Sequence, residues 1–192
     1  MDRTTPKNKA EWIALLQTGD VEAFNNARQD SHYSLLDLSQ GDFHGLDLSA
    51  ANLSFTELSF TNFAGCVLHE AKLILARGHE MNFRQADCYM AMMTEVQFTA
   101  VDFGEAHLGA VDFEDACFKD CLFSQSQFID ATLRRTRFNG CNLNEADLLA
   151  VCYDSAEFKD CQMTWAYVPE ELKVLLGPEH FKIDDDNEHN NT

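Results

Sequence analysis

The sequence predicts a repeat solenoid, an elongated stack of short coils, rather than a globular domain with a single core. The first observation is a period of five residues, which runs from position 38 to position 163 through 26 positions without a slip. The second is that Leu or Phe occupies 21 of these positions, and only Gly78 among them is not apolar. The third is that neither the 3.6-residue period of a helix nor the 2-residue period of a strand fits. Each five-residue unit therefore points side chains inward and then turns.

A second, smaller class of residue sits two positions before each large one. It is mostly Ala, Cys, Thr or Val, and the residue between the two is often Asp or Asn, as in Ala51-Asn52-Leu53 and Ala146-Asp147-Leu148. These units resemble the pentapeptide-repeat family over residues 36–165. The resemblance implies an all-β solenoid, a right-handed quadrilateral β-helix with four units per coil. Twenty-six units give 26/4 = 6.5 coils, which at about 4.8 Å per coil is a rod of roughly 31 Å.

Helical caps are predicted at both ends of the rod, because terminal coils of a solenoid need covering. We divide the chain into an N-terminal helical cap (1–35), the β-helix (36–165), a C-terminal helical cap (166–183) and a disordered acidic tail (184–192). Thr5-Pro6 is expected to start the first helix, and Asp20 to cap the second. A third short helix is expected from Pro169 through Leu176.

The composition predicts a cytoplasmic protein without disulfides or zinc. No apolar run approaches the roughly 18 residues of a membrane span, and the N-terminus lacks the apolar stretch of a signal peptide. The seven cysteines are an odd number with no CxxC pair, which argues against a disulfide framework and a zinc site. Most of them are expected to be small, buried and reduced.

The charge argues against direct binding of nucleic acid or of an anionic membrane, because both require clustered Lys and Arg. The net charge is −18. Residues 1–35 contribute −1 (4 basic, 5 acidic), residues 36–165 contribute −12 (8 and 20), and residues 166–192 contribute −5 (2 and 7). The partner is therefore expected to be a protein.

No residue pattern predicts catalysis, a metal or a cofactor. Cys121, Cys141 and Cys161 are 20 residues apart and should stack as an interior column, which fills space rather than converging on a ligand. His69 and His79 each precede a glutamate, Glu70 and Glu80. Side chains of neighbouring residues at a corner usually diverge, so both histidines are interpreted as isolated and solvated. At Gly78 the missing side chain leaves either a gap that Met81 and Met93 fill or a distorted coil.

Acidic residues crowd the middle coils and give the sharpest hypothesis about a partner surface. The predicted acidic set is Asp102, Glu105, Asp112, Glu114, Asp115, Asp120 and Asp130. The family that these units resemble includes the quinolone-resistance group, whose members are thought to mimic duplex DNA and occupy type II topoisomerases. A DNA duplex about 31 Å long carries about 18 phosphate charges. The net charge of the repeat, −12, is within a factor of two of that value. The unbroken register and the N-terminal helical cap are two departures from the plasmid-type members.

Exposed apolar residues are the other candidate contacts. Phe55, Ile74 and Leu75 lie at outward positions and form either an interface or a surface that the N-terminal helices cover. Phe60, Tyr89, Met90 and Met92 are also placed outward. At the other end, the predicted cap or dimer contacts are Trp165, Tyr167, Leu172, Leu175 and Leu176. The resemblance to the mycobacterial-type relatives, which dimerise through their C-terminal ends, implies a possible homodimer.

The sequence thus predicts a non-catalytic protein-interaction scaffold that presents an acidic, rigid surface. The alternative is a DNA-mimicking modulator or protector of DNA gyrase or topoisomerase IV, conferring fluoroquinolone tolerance. The basic cluster Arg134, Arg135 and Arg137 interrupts the anionic surface and is either a solvated corner or a site for an acidic partner. An enzyme is the third hypothesis, and it requires a pocket with converging titratable groups.

Overall fold

Backbone pairing in the computed structural model, which describes residues 5–30 and 34–181, repeats every 20 residues. Seven short strands form one parallel sheet in chain order, so six coil-to-coil steps separate the first from the last. The strands are β1 (Leu36–Asp37), β2 (Thr56–Glu57), β3 (Arg77–His79), β4 (Gln97–Thr99), β5 (Cys117–Lys119), β6 (Arg137–Asn139) and β7 (Glu157–Lys159). This confirms the predicted all-β solenoid.

Four ladders of parallel pairs run along the tube and define its four outer faces. Face 1, which contains the strands, comprises residues 36–40 and their equivalents at intervals of 20 residues. Faces 2, 3 and 4 begin with residues 41–45, 46–50 and 51–55, and isolated bridges such as Asp42↔Asn62, Asp47↔Val67 and Asn52↔Lys72 link their coils. The ladder on face 3 continues to Tyr167, which pairs with Asp147, and Val168 beside it is buried.

The interior is a column of stacked side chains, as the period of five predicts. Every fifth residue from 38 to 163 is buried except Gly78 and Tyr153, which are half-buried. Under face 2 the rings of Phe43, Phe63, Phe83, Phe103 and Phe123 stack with centroids 4.8–5.2 Å apart. This spacing equals the distance between neighbouring strands, so one ring per coil fills the tube.

The corner residue of each unit has a left-handed backbone. From position 40 to position 165, every fifth residue except Ala150 has a positive φ, and only Gly45, Gly65 and Gly140 among them are glycines. Left-handed backbone costs about 1–2 kcal/mol for a residue with a side chain. Hydrogen bonds between coils offset this cost, as in Gln40, whose N–H donates to the Ser59 carbonyl at 2.9 Å.

Two helices cover the open N-terminal coil and satisfy its backbone groups. They are α1 (Lys9–Gln17) and α2 (Val21–Asp30). Asn25 on α2 accepts from the Asn52 N–H at 2.8 Å and donates to the Ala50 carbonyl at 2.9 Å. Buried Arg28 donates to the Ser54 carbonyl at 2.6 Å. The helices thereby replace the missing preceding coil at an otherwise unpaired edge.

The bounds of these helices correct one expectation and confirm another. The first helix begins at Lys9 rather than at Thr5-Pro6, because the Asn8 side chain accepts the Glu11 N–H at 3.0 Å and so caps it. Asp20 caps the second helix as predicted, since its carboxylate accepts the Ala23 N–H at 2.9 Å. None of the helices that the structure describes is both long and apolar enough to cross a bilayer.

The C-terminal coil is closed by α3 (Glu170–Leu176) and a 3-10 turn (Pro178–Phe181). Leu172 is buried against the last coil, and the Met163 N–H donates to the His180 carbonyl at 2.8 Å. The helix has the expected bounds, beginning after Pro169 and ending before Gly177. The predicted disordered tail (184–192) lies outside the described residues.

The space beside Gly78 is filled by a neighbouring side chain, and the coil keeps its 20-residue register. Gly78 pairs with Phe98 in the next coil, and a Cβ built on Gly78 would lie 2.8 Å from the Met81 sulfur and 3.0 Å from backbone atoms of Leu58 and Ser59. The Met81 thioether therefore occupies the space that a large residue fills in the other coils. Of the two alternatives, repacking around the glycine is the one that occurs.

This packing predicts coupling between the two positions. We expect Gly78→Ala to destabilise the protein by about 1–3 kcal/mol, because the added methyl overpacks the site. In a Met81→Ala background the same change should cost less, since the contact with the sulfur is gone and only the contacts with the Leu58 and Ser59 backbone remain. Thermal melts of the four proteins in a double-mutant cycle measure this coupling. Strictly additive effects would contradict the packing described here.

Candidate interaction surface

The aspartates and asparagines that precede the large core residues serve the fold first. Asp102 accepts the Gly104 N–H at 2.8 Å, and Asp112 accepts the Glu114 N–H at 3.0 Å, so each closes a short side-chain turn. The same bond forms at Asp37, Asp42, Asp47, Asn52, Asn62, Asn82, Asp87, Asn142 and Asp147. Because Asn closes the turn equally well, the negative charge at the Asp positions is an additional surface property.

The seven acidic residues singled out from the sequence lie on all four faces rather than in one patch. Asp112, Glu114 and Asp115 lie together on face 4, and Asp102 and Glu105 lie together on face 2. Asp120 and Asp130 lie at separate corners, on face 1 and face 3 respectively.

Arginines from neighbouring coils bind both acidic groups. Arg84 pairs with Glu105, and its guanidinium also lies 3.7 Å from the Asp102 carboxylate. Arg135 Nη2 lies 2.5 Å from Glu114 Oε1 and 2.7 Å from Asp115 Oδ2. Its hydrogen bonds hold the pKa of the Asp115 carboxyl below its ordinary value. These arginines partly neutralise the two groups.

The net charge is nevertheless divided unequally around the tube. Within residues 36–165, faces 2 and 3 carry nine carboxylates and a single arginine, Arg84. Faces 1 and 4 carry eleven carboxylates and seven basic residues. The seven basic residues are Lys72, Arg77, Lys119, Arg134, Arg135, Arg137 and Lys159. The molecule therefore has one strongly anionic side, at −8, and one mixed side, at −4.

The predicted apolar cluster lies at the corner where face 4 meets face 1. Leu75 is 38% exposed, and Phe55 and Ile74 are half-buried. With Leu35 and Arg77, Phe55 and Leu75 line a shallow open groove. The N-terminal helices bond to the first coil, and they leave Leu75 in solvent.

A second group of exposed apolar residues lies on face 3, and the sequence prediction includes only part of it. Tyr89 and Met90 are exposed, as the sequence predicts. Ile129 and Leu149 lie 40 and 60 residues further on in the same column and are exposed too, although they are not in the predicted set. The 20-residue spacing alone would have placed them together.

The C-terminal residues proposed as cap or dimer contacts divide into two groups. Leu172 is buried and Leu176 is partly buried, so both pack in the cap. Trp165, Tyr167 and Leu175 are exposed. Val174 is exposed too and is not in the predicted set. An open groove is lined by Trp165, Ala166, Lys173, Val174 and Phe181.

Comparison with known proteins assigns the family. A family model described as a pentapeptide repeat region matches residues 91–168, and a model for pentapeptide repeats in eight copies matches residues 36–69 and 61–99. The chain belongs to the pentapeptide-repeat family. Together the two models span the ladder region seen in the structure, which agrees with the resemblance noted in the sequence.

Solved pentapeptide-repeat structures are similar at low identity. HetL from the cyanobacterium Nostoc, involved in regulation of heterocyst differentiation, is 16% identical (70% of this chain, 88% of that chain, TM-score 0.29). A trypsin-treated variant of QnrB1, a plasmid-mediated fluoroquinolone resistance protein, is 19% identical (75% and 86%, TM-score 0.32). Rfr23 from the cyanobacterium Cyanothece is 12% identical (77% and 99%, TM-score 0.32). A comparison with curated proteins gives no significant match.

One Ser–His–Glu group of this pentapeptide-repeat protein has the wrong order for nucleophilic catalysis. The Ser59 hydroxyl lies 2.7 Å from His79 Nδ1 and also bonds Glu57. In a catalytic triad the histidine sits between the serine and the acid, whereas here the serine sits between the other two. Ser59 is also buried. The three side chains tie neighbouring coils of face 1 together, so the expectation that His79 is isolated is wrong.

The buried thiols are hydrogen-bond donors of the core. Each of Cys121, Cys141 and Cys161 lies 3.6 Å from the backbone carbonyl of the phenylalanine 23 residues earlier. Burial raises the pKa of the Cys66 thiol to about 11, and burial also raises the pKa of Cys88. Such thiols stay protonated and unreactive near neutral pH. Among the described residues, no three His, Cys, Asp or Glu side chains converge as metal ligands.

Proposed function

We propose that this pentapeptide-repeat protein is a non-catalytic scaffold that binds a protein partner on its outer faces. The observation that carries the proposal is the division of the surface: a packed interior, one anionic side and one mixed side. A rigid rod with fixed side-chain columns offers a preorganised surface, which lowers the entropy lost on binding. We place the protein in the cytoplasm, where its seven unpaired cysteines would remain reduced.

Affinity capture from the native host, followed by reconstitution, tests this proposal. The bait is the full chain, and the comparison bait removes five charges from the anionic side by Asp→Asn changes that preserve the side-chain turns. The changed residues are Asp42, Asp47, Asp87, Asp102 and Asp147. We expect one partner to bind wild type with fixed stoichiometry in calorimetry and to bind the variant at least ~tenfold more weakly. A partner that binds both proteins equally, or no reproducible partner, would contradict the proposal.

A second candidate function is modulation or protection of a type II topoisomerase, DNA gyrase or topoisomerase IV, by mimicry of duplex DNA. The nine carboxylates against one arginine on faces 2 and 3 favour it, because a DNA-binding groove is cationic. The test is a supercoiling assay at micromolar protein, with and without a fluoroquinolone. Inhibition or protection is expected from wild type and not from the five-charge variant.

A matched control removes five charges from faces 1 and 4 instead. The control changes are Glu80→Gln, Glu95→Gln, Asp112→Asn, Asp120→Asn and Glu157→Gln. This control variant should act as wild type does if the anionic side is what the enzyme binds. No effect of the wild-type protein on supercoiling would remove the topoisomerase as a partner.

We also propose that two copies associate through the C-terminal end. Trp165, Tyr167, Val174 and Leu175 are exposed there around an open apolar groove, and burying such residues favours association. Light scattering on a sizing column should give twice the mass of the 21.7 kDa chain. Val174→Lys, at an exposed helical position, should return the mass to that of a monomer. A monomeric wild type would exclude this contact.

A further inference from the structure

Face 3 carries a continuous exposed apolar column along the axis of the tube. Tyr89, Ile129 and Leu149 are 50%, 47% and 56% exposed and lie in one column. Gly109 lies between Tyr89 and Ile129 in this column, and a Cβ added there would lie 3.2 Å from the Tyr89 ring. The tyrosine thus covers the glycine, and the column spans four coils, about 14 Å at the spacing of parallel strands.

The same face carries neither Lys nor Arg within the repeat. Its charged residues from residue 46 to residue 150 are five carboxylates. They are Asp47, Glu70, Asp87, Asp130 and Asp147. Faces 1, 2 and 4 each carry at least one basic residue that can pair with their acids. Face 3 therefore presents an apolar column beside carboxylates, of which Asp87 pairs with a histidine of the same face, His69.

The carboxylate of Asp87, beside the apolar column, is held in its ionised form. Burial raises the pKa of Asp87, but hydrogen bonds from His69 and from the Tyr89 N–H outweigh burial and lower it overall. His69 Nε2 lies 2.8 Å from the Asp87 carboxylate. The ionised Asp87 carboxylate thus contributes to the anionic character of face 3 beside the apolar column.

The spacing of the column suits an α-helix that lies along the tube. One helical turn advances 5.4 Å and one coil about 4.8 Å, so an apolar residue on each successive turn meets successive coils with a mismatch of about 0.6 Å per turn. Basic residues beside the apolar stripe of such a helix would meet the carboxylates. An anionic membrane or a nucleic acid would instead be repelled.

We propose that face 3 is the docking surface for a basic amphipathic helix of a partner protein, with Tyr89, Ile129 and Leu149 as its apolar contacts. The inference rests on the proposed scaffold function and specifies which face binds and what the partner presents. The complementarity is twofold, because burial of the apolar column supplies affinity and the carboxylates, which have no Lys or Arg beside them on this face, select a cationic partner.

The test uses the full chain and a defined probe. The probe is a fluorescent 18-residue helical peptide with Leu and Trp along one side and Lys on the other, titrated by anisotropy. The charge variant is Asp87→Asn with Asp147→Asn, and its control is Asp102→Asn with Asp112→Asn, which removes two charges from the same kind of turn on faces 2 and 4. The apolar variant is Ile129→Ser with Leu149→Ser, and its control is Met92→Ser with Leu122→Ser.

We expect wild type to bind the peptide at micromolar concentration and more weakly as salt rises. Each face 3 variant should bind ~tenfold more weakly, and each control within about twofold of wild type. Circular dichroism confirms that every variant is folded. Equal losses in variants and controls would overturn the inference, as would absence of binding. The molecular mass of wild type could instead increase with protein concentration while that of the face 3 variants stays constant. That result would overturn the inference and assign the surface to contact with a second copy.

The failure of this inference can be told apart from failure of the scaffold function. If the host partner binds wild type and both face 3 variants equally, the inference is wrong and another face is the scaffold's contact. If no partner binds wild type at all, the scaffold function itself fails.

Discussion

Phe103→Asp is expected to abolish the cooperative fold or to lower the melting temperature by roughly 10–20 °C. The Phe103 ring is fully buried and stacks on Phe83 and Phe123 at 4.9 and 5.0 Å. Removing a buried phenylalanine alone costs about 3–5 kcal/mol, and an uncompensated carboxylate adds a larger desolvation penalty. Because each coil packs only on its neighbours, the defect separates the tube into two weakly connected halves. Thermal melts followed by circular dichroism measure the effect.

Leu122→Asp is the matched control for that change. It also replaces a large apolar residue with aspartate, but Leu122 is exposed and occupies the position where other units carry Asp or Asn. The new carboxylate can accept the N–H two residues later, as Asp102 does from Gly104. We expect a melting temperature within a few degrees of wild type. Equal losses in the two variants would show that residue 103 is not buried between coils.

The second large effect is expected at the N-terminal cap, from Asn25→Ala combined with Arg28→Ala. These changes leave the Asn52 N–H and the Ala50 and Ser54 carbonyls without the partners they have in the cap. A backbone group left unpaired costs about 1–3 kcal/mol, so the local loss is about 3 kcal/mol or more. The first coil should open more often while distant coils stay closed.

Hydrogen exchange followed by mass spectrometry resolves this local effect. Peptides from residues 36–55 should exchange about 100-fold faster, and peptides from residues 136–165 should keep the wild-type rate. Asn26→Ala, at a position of the same helix that makes no bond to the first coil in the described contacts, should change neither region. Faster exchange along the whole tube would contradict a nearest-neighbour solenoid.

The interior of the molecule was predictable, because the inward positions follow a single period. Leu38 and Met163 are 125 residues apart and both are buried in phase with the units between them. The corner backbone was not predictable, since Gln40, Phe60 and Leu75 adopt a left-handed conformation that only glycine would have signalled. There the hydrogen bonds between coils override the local preference.

The surface required the 20-residue spacing as well as the period of five. Asp115 and Asp120 are one unit apart in sequence but lie on face 4 and face 1, so crowding along the chain does not produce a single acidic patch. Tyr89 and Leu149 are 60 residues apart and share one column of face 3. The paired arginines could not be foreseen either, because which acids Arg84 and Arg135 reach depends on side-chain conformation.

Thiol labelling of the native protein tests most directly the central claim, that the tube is sealed and only its outer faces meet partners. Of the seven cysteines, Cys152 is exposed and Cys117 is half-buried, and the other five are buried. With excess maleimide we expect rapid modification of Cys152, slower modification of Cys117, and protection of the buried five until denaturant is added. Rapid labelling of Cys121 or Cys141 in the folded protein would contradict the packed interior and, with it, the assignment of function to the surface.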